Sequence, residues 1–470
     1  MNSIKKILVV SLLLLLVTTS CDKDFEEINK DPNNPTAVSS GLLLADIVRV
    51  TANRMYSTFT GFDMGSEWSQ QIAKVQYNDE ARYSPRGGVI TATWDNLFED
   101  VAADAKEMYN LAVTEENANM QGAALIMQAY GFSLLTDMYG DIPFTEAGKA
   151  KEGILSPKYD DQQTVYNGIL ALLDQANALL GTGGTINNAS DIMYGGDAAK
   201  WKMFGNSLKF RALMRMSSKV DVSADLQALV SAGGMFTSND AEAKVTYLSA
   251  DPNANPIYET VIFGTRAEFK VCEVMIDMLD ATGDPRLAVY AQPNEDGVYR
   301  GKPAGLRDVP SDDYNYGNVS AIGEKYLAPE APAYFMSYAQ LQFLMAEAAT
   351  KGYIGGSAQD FYNAGVNASL AANGVSGLTP ETLSGTTNEA LEQIGNQAWI
   401  AMFCQGVESW TEQRRTGFPV LTPALEGTIN EIPSRYTYPN EEQSLNSTSW
   451  SEAVARQGAD ALTTKIWWNK

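Results

Sequence analysis

Fifty-seven Asp and Glu residues and no histidine bound the chemistry this 470-residue chain can do. Without an imidazole, Ser-His-Asp and Cys-His nucleophilic catalysis are excluded. His-ligated zinc is excluded with them. Any acid–base chemistry would rest on carboxylates, Lys or Tyr. A glycan-degrading hydrolase needs two carboxylates about 5–9.5 Å apart across a cleft, and no spacing among the acids singles out such a pair. Asp312-Asp313 could meet a cation in an acid-rich loop, but the 12-residue calcium-loop pattern is absent. No metal, cofactor or catalytic residue is therefore expected. Residues suited to binding are easier to locate. Flat rings stack on sugars or peptide groups with little entropy lost, and amides supply hydrogen bonds. Two stretches combine both types. One holds Trp68, Gln70, Gln71, Gln76, Tyr77, Asn78 and Tyr83; the other holds Tyr314, Asn315, Tyr316 and Asn318. Trp68, Gln71, Tyr77, Tyr83, Tyr314, Asn315 and Tyr316 are the candidate ligand-binding residues. The competing fate of each ring is packing in the core, the commoner one for Trp and Tyr.

The start of the chain bears on where such binding would happen. Lys5 and Lys6 precede an apolar run, Ile7 to Val17, broken only by Ser11. Small residues follow, then Cys21. A basic start, a short apolar stretch and small residues before a cleavage point describe a secretory signal over residues 1–20. The run is far shorter than the roughly 20 residues a membrane-spanning helix needs. Ending on Cys21, it resembles a bacterial lipoprotein signal, although Thr18 stands where such signals usually carry Leu. Lipidation of Cys21 is expected, and acyl chains add roughly 0.8 kcal/mol of membrane affinity per buried methylene. Residues 21–40, rich in acids, Asn and Pro, read as a solvated tether. The acids directly after Cys21 resemble a surface-export signal of Gram-negative lipoproteins.

The chain's net charge is −23. The first twenty residues hold two lysines and no acid, so the remainder carries −25. Nucleic-acid binding, which rests on neutralising phosphates with Lys and Arg, is excluded. Cys272 and Cys404 read as two buried thiols, with a disulfide between them left open.

The candidate residues need elements to hold them. Three-four apolar spacing marks helices over Thr93–Ala112, Asn119–Met138, Val165–Leu180 and Ala198–Met216. In the C-terminal half it marks Met336–Lys351, Ala358–Asn373 and Glu389–Phe403. Asn119–Met138 reads as amphipathic. Trp201, Phe204, Gly205 and Leu208 fit the start of a tetratricopeptide helix. The expected fold is all-α, mostly helical: degenerate tetratricopeptide-like helix pairs in one domain over residues 41–470. Between about 221 and 337 the pattern fails, with Val271–Leu279 the clearest helix. Long loops in a compact protein are usually functional or disordered.

Five segments in order resemble the SusD/RagB family of nutrient-binding outer-membrane lipoproteins. They are Leu135 to Phe144, containing Tyr139-Gly140-Asp141-Ile142-Pro143-Phe144; Asn206 to Met216, with Arg211 and Arg215; Phe343-Leu344-Met345-Ala346-Glu347-Ala348-Ala349; Gln397 to Pro419; and Ile432 to Pro439 with Glu442 and Asn446. The resemblance implies a lipid-anchored, surface-exposed outer-membrane protein that captures a glycan or peptide oligomer. It also implies delivery to a SusC-like TonB-dependent transporter, a helical fold and no catalytic activity. The motif residues themselves read as structural. Glu412 and Arg415 have the spacing of a helical ion pair, and Glu408 and Glu412 would repel unless Arg414 or Arg415 lay between them. Trp410, Arg414 and Arg415 are read as structural in the same way. Two other functions stay open on the residues alone: the surface hydrolase, and a helical-repeat scaffold without a small ligand.

Overall fold

Helix signals in the sequence become caps and turns in the computed structural model, which describes residues 39–307 and 313–470. The signal, Cys21, most of the tether and Asp312 lie outside the described residues. Ser40, placed in the tether by composition, opens the first helix instead, α1 (Ser40–Met55). Its backbone N–H donates to the Glu115 carboxylate at 3.0 Å. Then come α2 (Gly87–Asn96), α3 (Asp104–Thr114), α4 (Ala118–Tyr139), α5 (Gln162–Leu179) and α6 (Ala198–Met216). The Asn117 and Asp197 side chains cap α4 and α6 by accepting from first-turn N–H groups.

Helices α3 with α4, α4 with α5 and α5 with α6 pack as successive neighbours. This is the stacked-pair arrangement expected of a tetratricopeptide-like core. The C-terminal half adds α9 (Tyr338–Thr350), α10 (Ala358–Asn373), α11 (Thr387–Ala401) and α12 (Gly406–Thr416), after α7 (Ser223–Ala232) and α8 (Glu273–Ala281). A Thr386–Glu389 capping box starts α11. α9 joins the two halves, packing on α6, α10 and α11. Late in the chain, α13 (Asn440–Leu445) and α14 (Ser447–Gln457) return to the α4 end.

α4 departs from the amphipathic expectation. Apart from its first turn it is buried nearly all round, because α3, α5 and α6 enclose it. It ends at Gly140, whose φ of +88° suits glycine. A side-chain carbon there would also collide with the Gln457 amide. The helix read over Thr93–Ala112 starts earlier, at Gly87, and carries a π-helical turn, Leu97–Ala103. Cys272 and Cys404 are both buried and unbridged.

The 221–337 region holds more order than its pattern shows. Two small antiparallel pairings organise it: β1 (Ile72–Lys74) with β3 (Phe269–Val271), and β2 (Ala243–Val245) with β4 (Ala333–Met336). Strands of three or four residues are too short for a period-two signal to register. Among the described residues no helix is long and apolar enough to cross a membrane.

Candidate functional site

The β1–β3 pairing is what gathers the candidate residues. It sets Ala73 opposite Lys270 and Lys74 opposite Phe269. Lys270 also bridges to Ala321, and Val271 N–H donates to the Ser320 carbonyl at 3.0 Å. Three segments far apart in sequence, 72–84, 264–272 and 313–321, thereby share one face. The Tyr316 hydroxyl donates to Gln76 Oε1 at 2.8 Å and ties the last segment to the first.

Rings stand out from this face. Tyr77 is 57% exposed, Tyr316 46% and Phe59 47%, while Tyr314 is half-buried. Each is backed by a cation. The Arg266 guanidinium lies 5.3 Å from the Tyr77 centroid, Arg86 4.7 Å from Phe59, Lys270 5.8 Å from Tyr316 and Arg300 4.6 Å from Tyr314. A cation over a ring contributes about 0.5–1 kcal/mol at exposed sites. It also fixes the ring's tilt and takes one of its two faces. Asn315 shapes the turn beneath Tyr316, its Oδ1 accepting from the Gly317 and Asn318 N–H groups at 2.9 and 3.0 Å.

Between Phe59 and Tyr77 opens a cleft of about 440 Å³, against 220 Å³ or less for the other hollows described. That volume lies within the roughly 300–1,000 Å³ of small-molecule sites. Thr58, Ser84 and Thr260 add hydroxyls to its wall. The floor is charged. Asp63 accepts from Lys74 at 3.0 Å and from Arg86 at 2.6 Å, and Arg86 also pairs with Glu80. Burial pushes the Asp63 carboxyl up to about 6 despite Lys74 beside it. Both of its oxygens are committed to these cations and only 3% of its side chain is exposed. It lines the floor with both oxygens held by cations and is not a free acid poised for a ligand. Deeper still, burial drives the Glu67 carboxyl well above its ordinary value. Among the described residues no group of three or more His, Cys, Asp or Glu side chains is arranged to hold a metal.

The structure divides the candidate residues. Tyr77, Tyr314, Asn315 and Tyr316 share the face. Trp68, Gln71 and Tyr83 do not, and the expectation of exposed ligand contacts is corrected for all three. Trp68 is fully buried, edge-on to Trp410 and Tyr436, and its indole N–H donates to the Glu80 carbonyl at 2.8 Å. Gln71 donates to the Trp399 carbonyl at 2.8 Å. The buried Tyr83 hydroxyl accepts from Ala424 N–H at 2.8 Å. Trp68 and Tyr83 satisfy their polar atoms inside the fold, the usual condition for burying Trp or Tyr. Phe59, Arg86 and Arg266 were missed. Phe59 reads as one more apolar residue at a helix end, and only the π-helical turn Thr58–Ser66 turns it outward.

The motif segments lie elsewhere, as a buried chain of ion pairs. Lys351 meets Glu347 at 2.6 Å, Glu347 meets Arg415 at 2.5 Å, and Arg415 meets Glu412 at 2.7 Å. Glu412 pairs onward with Arg215, which reaches Glu408 at 2.6 Å and Asp137 at 3.3 Å. The expected Glu412–Arg415 pair is present. The Glu408–Glu412 repulsion, however, is relieved by Arg211 and Arg215 of α6 rather than by Arg414 or Arg415. Arg414 instead donates to the Ser434 and Asp137 carbonyls at 2.6 and 2.9 Å and lies over the Trp410 ring. The ladder thus joins α4, α6, α9 and α12. Gly406 links α12 to the site, because any side-chain carbon there would strike the Gly61 carbonyl of the π-helical turn.

Known proteins share this architecture. A structure described as a chitin-binding protein is 28% identical, with a TM-score of 0.81 over 92% of this chain and 99% of its own. A chitin-binding SusD homologue from Flavobacterium johnsoniae is 23% identical at TM-score 0.81, covering 92% and 98%. A SusD homologue from Bacteroides fragilis is 25% identical at TM-score 0.79, covering 92% and 100%. No curated protein sequence matches significantly. The SusD-like family, described as "Starch-binding associating with outer membrane", matches residues 32–439. With most of its length inside that match and the family's helical fold around it, the chain belongs to the SusD-like family.

Proposed function

We propose that this protein captures an oligosaccharide on the loop face formed by Phe59, Tyr77, Tyr314 and Tyr316. On this reading it is held at the cell surface by a lipid on Cys21 and passes its ligand to a SusC-like TonB-dependent transporter. The observation that carries the proposal is the set of cation-backed rings beside the 440 Å³ cleft. A pyranose presents an apolar C–H face to a ring and hydroxyls to neighbouring polar groups, which is what this face offers. No bond need be broken for such capture, and the cleft carboxylates Asp63 and Glu80 are engaged by Arg86.

The relative described as chitin-binding makes β-linked amino-sugar oligomers the first ligands to test, with starch oligomers second. Titration calorimetry of the chain from Asp22 with each series, followed by chromatography of the recovered ligand, tests the proposal. Saturable binding with the oligomer intact is expected. Cleaved ligand would favour the hydrolase, and silence across all glycans would leave the scaffold. The anchor has its own test: Cys21→Ala should move the protein from the membrane to the soluble fraction.

A further inference from the structure

Beneath the ring-lined cleft sits a carboxyl that ligand capture does not use. Glu67 closes the π-helical turn Thr58–Ser66, which carries Phe59 and Asp63. It is 2% exposed, and neither of its oxygens meets a hydrogen-bond donor among the described residues. An ionised carboxylate buried without a donor is far costlier than the neutral acid. Swinging Glu67 out to water would unpack the turn. A side-chain carbon at Gly65 would strike the Gly406 backbone, and one at Gly61 the Met55 carbonyl, so the turn is pressed against both neighbours.

The charges around Glu67 come from several elements. Asp63 lies one turn before it, Lys74 comes from β1, Glu80 from the loop after β1, and Lys302 and the Cys272 thiol from the β3 side. The helices packed on the turn keep their charges engaged. On α12, Glu408 and Glu412 meet Arg215, Arg415 meets Glu347 and Arg414 lies over Trp410. On α1, Arg49 meets Asp46, and Arg54 faces Asp95 of α2. A bound cation in place of a proton would sit beside Lys74 and Lys302, which repel it.

Lys74 joins this acid to the cleft. Its ammonium meets Asp63 at 3.0 Å. Burial would lower its pKa, and Glu67 first and Asp63 second overcome that and hold it above its ordinary value. Asp63 in turn meets Arg86 at 2.6 Å, and Arg86 lies 4.7 Å from the Phe59 centroid. A relay of charges thus runs from a sealed acid to an exposed ring.

We propose that the folded protein carries Glu67 as a neutral acid, and that loss of its proton to solvent draws Lys74 off Asp63, a shift that Asp63 and Arg86 pass on to the Phe59 ring. Its consequence for capture rests on the function proposed above. Glu67 is raised above its ordinary 4.5, so acid keeps Lys74 on Asp63 and rising pH releases it.

The test places a fluorinated phenylalanine at position 59 of the full chain and follows its fluorine resonance from about pH 5 to about 9. The wild-type resonance should move in a step that Asp63→Asn retains and Glu67→Gln abolishes. Infrared spectra of Asp63→Asn near neutral pH should show a protonated-carboxyl band that adding Glu67→Gln removes. A wild-type resonance without that step, a step that survives Glu67→Gln, or an Asp63→Asn spectrum without the band would each overturn the proposal, the first and last without need of the Glu67 variant. Oligosaccharide affinity should fall about fivefold or more across the step in wild type and stay level in Glu67→Gln. Level wild-type affinity beside a moving ring would overturn the link to capture. A moving ring with no glycan bound at any pH would support the relay and sink the capture reading instead.

Discussion

In the ion-pair ladder, arginines meet carboxylates beneath the surface; on the loop face, arginines and lysines lie over tyrosine and phenylalanine rings. Arg215 and Arg415 are buried and touch two or three acids each. Arg86 and Arg266 are about half exposed, pair with buried acids on one side and back a ring on the other. The same side chain is a strut in one region and a ring holder in the other, and burial makes the difference. Sealed from water, an unpaired partner is costly. At the surface, water compensates most of what is lost.

The comparison is broken most forcefully at Arg215. Arg215→Met leaves Asp137, Glu408 and Glu412 short of a cation, and should cost about 3–5 kcal/mol in denaturant unfolding. Glycan affinity of the folded fraction should stay unchanged. A loss under about 1 kcal/mol would mean the ladder does not carry the scaffold.

Acid should pull the two regions in opposite directions. Burial would raise Glu347 and Glu408, yet Arg415 with Lys351, and Arg211 with Arg215, overcome it and hold both at about 2. Their folded values lie below the unfolded ones, so their contribution is present above pH 4.5 and lost as pH falls toward 2. The slope is up to about 1.4 kcal/mol per pH unit for each group. Asp63, raised to about 6, has the opposite sign. The folded state holds its proton more tightly, so stability is lost as pH rises from about 4 to 6. Chemical unfolding from pH 2 to 7 should show both arms, and Asp63→Asn should reduce the upper one, to which Glu67 also contributes, and leave the lower one unchanged. An unaltered upper arm in Asp63→Asn would refute the assignment.

Binding sharpens the contrast from the other side. Tyr77→Ala with Tyr316→Ala should weaken the captured glycan about tenfold or more by calorimetry, at about 1–3 kcal/mol for two lost stacking rings. The melting temperature should barely move. Trp68→Phe, within the fold, should do the reverse. The smallest effect is reserved for Asn315→Ala. Losing its two turn-shaping hydrogen bonds should cost roughly 1 kcal/mol of affinity or less, readable as a two- to fivefold change.

Much of the scaffold was legible. Ala198–Met216 and Ala358–Asn373 follow their apolar spacing to the residue, because their caps, Asp197 and Ser357, stand at the helix boundary. The Glu412–Arg415 pair follows from local spacing alone. What spacing could not carry was long-range. Arg215 reaches Glu408 across 193 residues, and Tyr316 reaches Gln76 across 240. The seven candidate residues divide, four on the loop face and three inside the fold, for a related reason. Trp68 and Tyr77 sit in the same aromatic-amide stretch, yet burial separates them completely. That separation is imposed by Trp410 and Tyr436 packing on Trp68, and no local pattern near residue 68 reports it.

Each ring on the loop face already has a cation over one side. On the proposed reading a sugar would therefore be touched from one direction only, like a rail resting on sleepers rather than a rod in a sleeve. Such a platform needs no chain end: an internal stretch of a long polymer can settle on it, and the sugar's outer edge stays uncovered. A second protein could take hold of that edge before the first lets go, so transfer would not have to pass through a step in which the ligand is loose in the surrounding water.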